Sequence, residues 1–131
     1  MLKLRSVHHI AIICSDYNAS KKFYTEILGL SVIGEHFRKD RESFKLDLAL
    51  NGEYVIELFS FPKPPARVSG PEARGLRHLA FSVENIVQAV QELNQKGIAV
   101  EPVRTDEYTG QRFTFFKDPD NLPLELYEIK K

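Results

Sequence analysis

The chain carries one structural plan twice, and an internal repeat constrains a fold more than any other sequence feature. His9-Ile10-Ala11-Ile12-Ile13-Cys14-Ser15-Asp16 opens a stretch that runs through Phe23-Tyr24 and Ile27-Leu28 to Gly29. His78-Leu79-Ala80-Phe81-Ser82-Val83-Glu84 opens a second, running through Val87, Val90 and Leu93 to Gly97. The match resumes downstream, where Val55-Ile56-Glu57-Leu58-Phe59 precedes Pro123-Leu124-Glu125-Leu126-Tyr127 by 68 residues. A chain of 131 residues is the length of one ordinary domain, so the two copies share it as half-domains.

Each copy reads as a strand, a helix and three further strands. The His-led runs are rich in Ile, Val and Phe and end at polar residues, the signature of a buried strand. In the first copy Asp16 is a helix cap, Ala19, Phe23, Ile27 and Leu28 fall at helical spacing, and Gly29 ends the helix. In the second, Glu84-Asn85 start a helix whose buried stripe is Ile86, Val90 and Leu93, closed by Gly97. Strands are expected over Leu30–Arg38, Ser43–Leu50 and Tyr54–Phe61, then Ile98–Arg104, Gln111–Lys117 and Leu122–Glu128. Asn51-Gly52 is a hairpin signal, and Lys117-Asp118-Pro119-Asp120-Asn121 plays the same part in the second copy. The modules therefore span 5–61 and 76–129. Between them the connector 62–75 holds four of the seven prolines and shows neither period.

Composition excludes several functions. Eighteen Lys+Arg balance eighteen Asp+Glu, so no global field draws the protein to polyanions, and no nucleic-acid partner is expected. The longest apolar run, His9 to Cys14, is far too short to cross a bilayer, and the N-terminus lacks a long apolar signal segment. We read a cytoplasmic protein without a membrane partner. The single Cys14 cannot form an internal disulfide and reads as a small buried hydrophobe. Open sheet edges and a connector of this length point to a homodimer.

The chemistry lies in the residues that break the apolar pattern. Glu57 and Glu125 each sit within an apolar strand at the same repeat position, where a buried carboxylate must be paired, protonated or bound to a cation. Arg38 and Lys45 are the local cations available to Glu57. With the His that opens each copy, the repeat places His9, Glu57, His78 and Glu125 on equivalent strands. Two imidazoles and two carboxylates are a suitable ligand set for one divalent ion of the Ni, Co, Mn, Fe or Zn kind. His8 has no counterpart, because Arg77 holds its place in the second copy. Asp118-Pro119-Asp120 reads as a turn. Phe44, Phe59, Phe61, Phe81 and Phe113 are candidate pocket walls, and Arg38, Arg74 and Arg112 are candidates for holding an anionic substrate.

Taken together, the His-led strand ending at Asp16, the Ser20…Phe23-Tyr24…Leu28-Gly29 helix, Gly75-Leu76-Arg77-His78-Leu79-Ala80-Phe81 and Phe116-Lys117-Asp118-Pro119-Asp120…Leu124-Glu125-Leu126 resemble the vicinal oxygen chelate superfamily. It is also called the glyoxalase/bleomycin-resistance/dioxygenase superfamily. The resemblance covers roughly residues 5–129. It implies an α+β fold in which two βαβββ modules form an open barrel around a metal site, with His9, Glu57, His78 and Glu125 at the four ligand positions. Members that fill all four positions include glyoxalase I, whereas extradiol dioxygenases and fosfomycin-resistance transferases do without the position of Glu57. Glyoxalase I touches glutathione through an Arg and an Asn where this chain has Ile13 and Phe61. The resemblance thus implies a glyoxalase I-like lyase or isomerase acting on a small oxygenated substrate through a metal-stabilised enediolate. Glu125 is the first choice as base, and Glu57 serves the opposite face. The other readings are a metal-dependent thiol transferase or dioxygenase on the same scaffold, and a non-catalytic small-molecule binder.

Overall fold

A computed structural model describes residues 1–130. The chain divides into two compact units, Met1–Pro65 and the residues from Ala66 onward. In the first unit the order is β1 (Ile10–Cys14), α1 (Tyr17–Lys22), β2 (Ser31–Arg38), β3 (Ser43–Leu50) and β4 (Glu53–Ser60). In the second it is β5 (Leu79–Val83), α2 (Ile86–Gln95), β6 (Arg104–Thr105), β7 (Arg112–Lys117) and β8 (Pro123–Glu128). The sheets have the same topology, β1-β4-β3-β2 and β5-β8-β7-β6, and the first strand of each lies parallel to the last. The expected βαβββ order therefore holds in both units.

Local signals explain the elements. The Asp16 carboxylate accepts the Ala19 N–H at 3.1 Å and caps α1, and Asn85 caps α2 through the Gln88 N–H, also at 3.1 Å. The first helix does not run uniformly to Gly29. Past Lys22 it widens into a π-helical turn over Phe23–Ile27, where Leu28 N–H reaches Phe23 O at 3.1 Å. The Thr25 hydroxyl donates to Lys21 O at 2.7 Å, taking up the carbonyl that Thr25 N–H would use in an α-turn. Gly29, at φ +79°, then turns the chain into β2. The buried stripe is Ser20, Phe23 and Tyr24, while Ala19, which the spacing placed inside, is exposed. Asn51 and Gly52 both take positive φ, as a tight hairpin of this kind requires.

One expected strand largely fails to form. Of Ile98–Arg104 only Arg104 enters a strand, the two-residue β6 that it forms with Thr105. Glu101 N–H does begin a ladder with Phe115 O at 2.9 Å, but the next residue is Pro102, which has no N–H to continue it. The Thr114 hydroxyl takes the Glu101 carbonyl at 2.6 Å instead.

Each sheet has two unlike faces. In the first unit Ile12, Cys14, Leu46, Leu48, Ile56 and Leu58 are buried on the face that α1 packs against. Leu124 and Leu126 are buried on the corresponding face of the second unit, beneath α2. Strand alternation leaves the opposite face of each sheet to the polar residues that follow.

Candidate active site

The repeat brings one histidine to one glutamate in each unit. Ala11 lies opposite Glu57 in the β1–β4 pair, and Ala80 lies opposite Glu125 in the β5–β8 pair. His9 and His78 stand two residues before those alanines, so each shares a face with its glutamate. His9 Nε2 lies 3.5 Å from Glu57 Oε1, and His78 Nε2 lies 3.7 Å from Glu125 Oε1. Both separations exceed a hydrogen bond, so neither pair is closed by a shared proton. Among the described residues no group of three or more His, Cys, Asp or Glu side chains gathers at metal-binding distance, and each unit holds one His–Glu pair.

The donor set fits a divalent ion. Nitrogen and carboxylate oxygen are ligands of first-row transition metals, and the donors of each pair face one another across a gap. His78 adds a sharper observation: its Nδ1 is buried without a hydrogen-bond partner. An imidazole left unsatisfied in this way is costly, by about 1–3 kcal/mol for each buried polar group. With the proton on this nitrogen, Nε2, which faces Glu125, keeps its lone pair free for a cation.

The surroundings of the two pairs differ. Glu57 Oε2 lies 3.2 Å from Lys45 Nζ, and Lys45 in turn binds both oxygens of Asp47 at 2.8 and 2.9 Å. Tyr54 donates to Asp47 at 2.6 Å and stacks on the His9 ring with centroids 5.0 Å apart. His8 Nδ1 approaches His9 Nδ1 at 2.7 Å, so one of the two rings donates to the other. The Tyr54 hydroxyl is pushed well above its ordinary range, first by burial and then by Asp47. Burial alone would raise Asp47, but hydrogen bonds from Lys45 and Tyr54 outweigh it and hold that carboxyl below its usual value. Gly34 makes room for this network, since a Cβ there would stand 3.0 Å from Asp47 Oδ2.

The second pair has an aromatic setting. The repeat equivalents of Lys45 and Asp47 are Phe113 and Phe115, and the Phe115 ring meets His78 edge-on at 5.1 Å. His78, Glu125, Phe113 and Phe115 line a cavity of about 470 Å³ within this unit, with Arg67, Arg77 and Arg104 among its other walls. Arg67 ties the connector into place, donating to Leu76 O at 2.6 Å and Arg77 O at 3.1 Å, immediately before His78.

Several sequence expectations are corrected. Arg112 does not face the site: it holds Glu128 through two 3.0 Å bonds on the helix-covered side, where Glu128 also accepts the Ile86 N–H at 2.9 Å. Arg74 is exposed in the connector. Phe44 and Phe81 are not walls, because alternation turns them toward the helices, and Phe44 stacks on Tyr17 of α1 at 4.1 Å. Of the two cations near Glu57, Lys45 pairs with it and Arg38 does not. Asp118 is the turn residue expected, accepting the N–H groups of Asp120 and Leu122 at 2.9 Å. The Lys45–Asp47–Tyr54 network and Phe115 were missed. Their signal was alternation with Glu57 and Phe113, which becomes readable only when strand register is known.

Comparison with known proteins agrees with this architecture. Residues 6–126 match the model of the Glyoxalase/Bleomycin resistance protein/Dioxygenase superfamily. The chain is 67% identical over 125 residues to YwkD of Bacillus subtilis (strain 168), covering 95% of this chain and 98% of that one. It is 62% identical over 128 residues to YaeR of Escherichia coli (strain K12), covering 98% and 99%. The crystal structure of the glyoxalase family protein from Enterococcus faecalis superposes with a TM-score of 0.89 at 50% identity, over 95% of this chain and 98% of that one. More distant relatives have named activities. A lactoylglutathione lyase of Schizosaccharomyces pombe is 29% identical over 92% of this chain and 46% of its own length. A metallothiol transferase FosB of Staphylococcus saprophyticus is 28% identical over 95% and 77%. With its paired βαβββ units and a family match over almost its whole length, the chain belongs to the Glyoxalase/Bleomycin resistance protein/Dioxygenase superfamily.

Proposed function

We propose that this protein is a divalent-metal-dependent lyase or isomerase of the glyoxalase type, with His9, Glu57, His78 and Glu125 as the ligands of one ion. The observation that carries the reading is the repetition of one arrangement: a histidine two residues before an alanine, facing a glutamate across a parallel strand pair, at 3.5 Å in one unit and 3.7 Å in the other. When bound, a divalent ion supplies polarisation of two neighbouring substrate oxygens and stabilises the charge that develops on them.

The chain's own residues then divide the work. Glu125 accepts the proton from the carbon beside those oxygens. Among the described residues its ion pair is with His78, and no lysine or arginine forms a salt bridge with it. Phe113 and Phe115 stand beside it in the cavity wall, where the first unit has Lys45 and Asp47. Glu57, held by Lys45, serves the opposite face. The test is metal analysis of the purified protein, followed by a screen of 2-oxoaldehyde–thiol adducts and acyl-CoA epimers. One ion per ligand set and turnover of either class support the reading; metal-independent activity, or none with either class, defeats it. Assembly as a homodimer fits sheets whose edge strands β1, β2, β5 and β6 have partners on one side only in their own unit.

One observation favours a second reading. Lys45 already supplies a cation to Glu57, and a site built on His9, His78 and Glu125 alone is the three-ligand type of the metal-dependent thiol transferases. Glu57→Ala distinguishes the two. Metal content should fall in the four-ligand case and persist in the three-ligand case.

A further inference from the structure

On the face of the first sheet that carries His9 and Glu57, strand register sets out parallel rows of side chains. Ala11, Glu57, Asp47 and Gly34 make one row, and Ile13, Phe59, Lys45 and His36 make the next. Arg38, opposite Ser43, lies one row further along. Its guanidinium lies over the second row, with the central carbon 4.8 Å from the Phe59 ring centre and 5.8 Å from that of Phe61. Ser43 Oγ accepts from Nη2 at 3.0 Å, and Nε is buried without a partner.

Arg38 combines a partly buried, ring-stacked guanidinium with the lack of a carboxylate partner. Arg104 also lies on aromatic rings, Phe113 and Phe115, but Glu101 pairs with it at 3.5 Å. Arg77 pairs with Glu72, and Arg112 with Glu128. Among the described residues no carboxylate pairs with Arg38, although it is half-buried and its site face holds Asp47 and Glu57, both engaged by Lys45. A partly desolvated cation without a counter-charge gains from an anionic ligand, and the planar guanidinium matches a carboxylate edge to edge. The stacked rings fix its plane, so little side-chain freedom is lost on binding.

We propose that Arg38, set on Phe59 and Phe61, is the specificity residue of the site and selects substrates that carry a carboxylate. Two residues of strand separate the row of Glu57 from the row beneath the guanidinium, so the carboxylate lies about 7 Å from the substrate's reacting end. The assignment rests on the reading that the His9–Glu57 face receives that reacting end. Ile13, 54% exposed, stands beside Phe59 in the row beneath the guanidinium and offers an apolar floor on the approach from Glu57, which suits a short hydrocarbon spacer.

The test uses two probes, glutaric acid monohydroxamate and the same molecule with its carboxylate converted to the primary amide. Both present adjacent oxygens to a metal, and only the first is anionic at the far end. Isothermal titration of the nickel-loaded full chain should show the acid binding about tenfold or more tighter than the amide, the scale of one charged hydrogen-bonded pair. Arg38→Gln should bring the two affinities together while leaving that of the amide unchanged, which also shows the variant folded. Arg74→Gln should keep the preference. Equal affinities in the wild type, or a preference that survives Arg38→Gln, overturns the assignment. If neither probe binds the nickel-loaded protein, the metal reading fails and the subsite is decided without metal. The Arg38 Nε–H, buried without a partner, serves as an NMR probe. A shift on adding glutarate but not glutaramide to the metal-free wild type supports the subsite, and an unmoved resonance overturns it.

Discussion

Replacing Glu125 by Gln separates the two roles given to this side chain. The amide keeps an oxygen donor of the same reach but removes the negative charge and the proton acceptor. Among the described residues Glu125 has its ion pair with His78, at 3.7 Å, and the adjoining strand presents Phe113 and Phe115, so no second carboxylate of that unit is placed beside it. A positioned general base contributes about 10²–10⁴ in rate, equivalent to roughly 2.7–5.4 kcal/mol of barrier. Turnover of Glu125→Gln should therefore fall by that factor. Glu57→Gln is the matched control: Lys45 remains held by Asp47 at 2.8 and 2.9 Å, so the local structure persists, and turnover should fall much less. The assay is metal content and initial rate on the same preparation of each variant, with the substrate class found in the screen. If Glu125→Gln turns over at the wild-type rate with metal bound, the carboxylate is a ligand alone and the base lies elsewhere.

Further outcomes follow from the same geometry. His78→Ala combined with Glu125→Ala should abolish stoichiometric metal binding, and retention of full affinity by equilibrium dialysis would remove that pair from the site. Gly34→Ala drives a methyl group to 3.0 Å from Asp47 Oδ2 and should cost about 1–3 kcal/mol in urea unfolding; an unchanged midpoint would show that Asp47 yields freely. Glu128 is held below the ordinary carboxyl range, first by Arg112 and then by the Ile86 N–H. It therefore contributes stability that is fully present above the unfolded-state value of about 4.3 and is lost as pH falls through the lower folded value. Glu128→Gln should flatten the decline of melting temperature below about pH 4. Sedimentation at tens of micromolar should give a dimer, and a monomer would contradict the proposed assembly.

Most of the fold was legible because repeated local signals agree with one another. The His-led strands, the Asp16 and Asn85 caps, the Asn51-Gly52 hairpin and the Asp118 turn are short-range chemistry, decided by residues within a few positions of each other. Strand alternation also carried Glu57 and Glu125 to the face of their histidines, since residues two apart in a strand share a side. What local signals could not decide was the partner across the ladder. Lys45 and Arg38 both precede Glu57 on neighbouring strands, yet β3–β4 register sets Lys45 beside it and places Arg38 one row further, on two phenylalanine rings. Arg112 looked as available as Arg38 until the helix-covered face claimed it for Glu128, and Pro102 ended a strand that hydrophobic pattern alone would have continued. The unlike settings of two equivalent His–Glu pairs, one ionic and one aromatic, exist only after the sheets form. Register is a sum over many backbone hydrogen bonds and buried side chains, and no single residue in the chain encodes it.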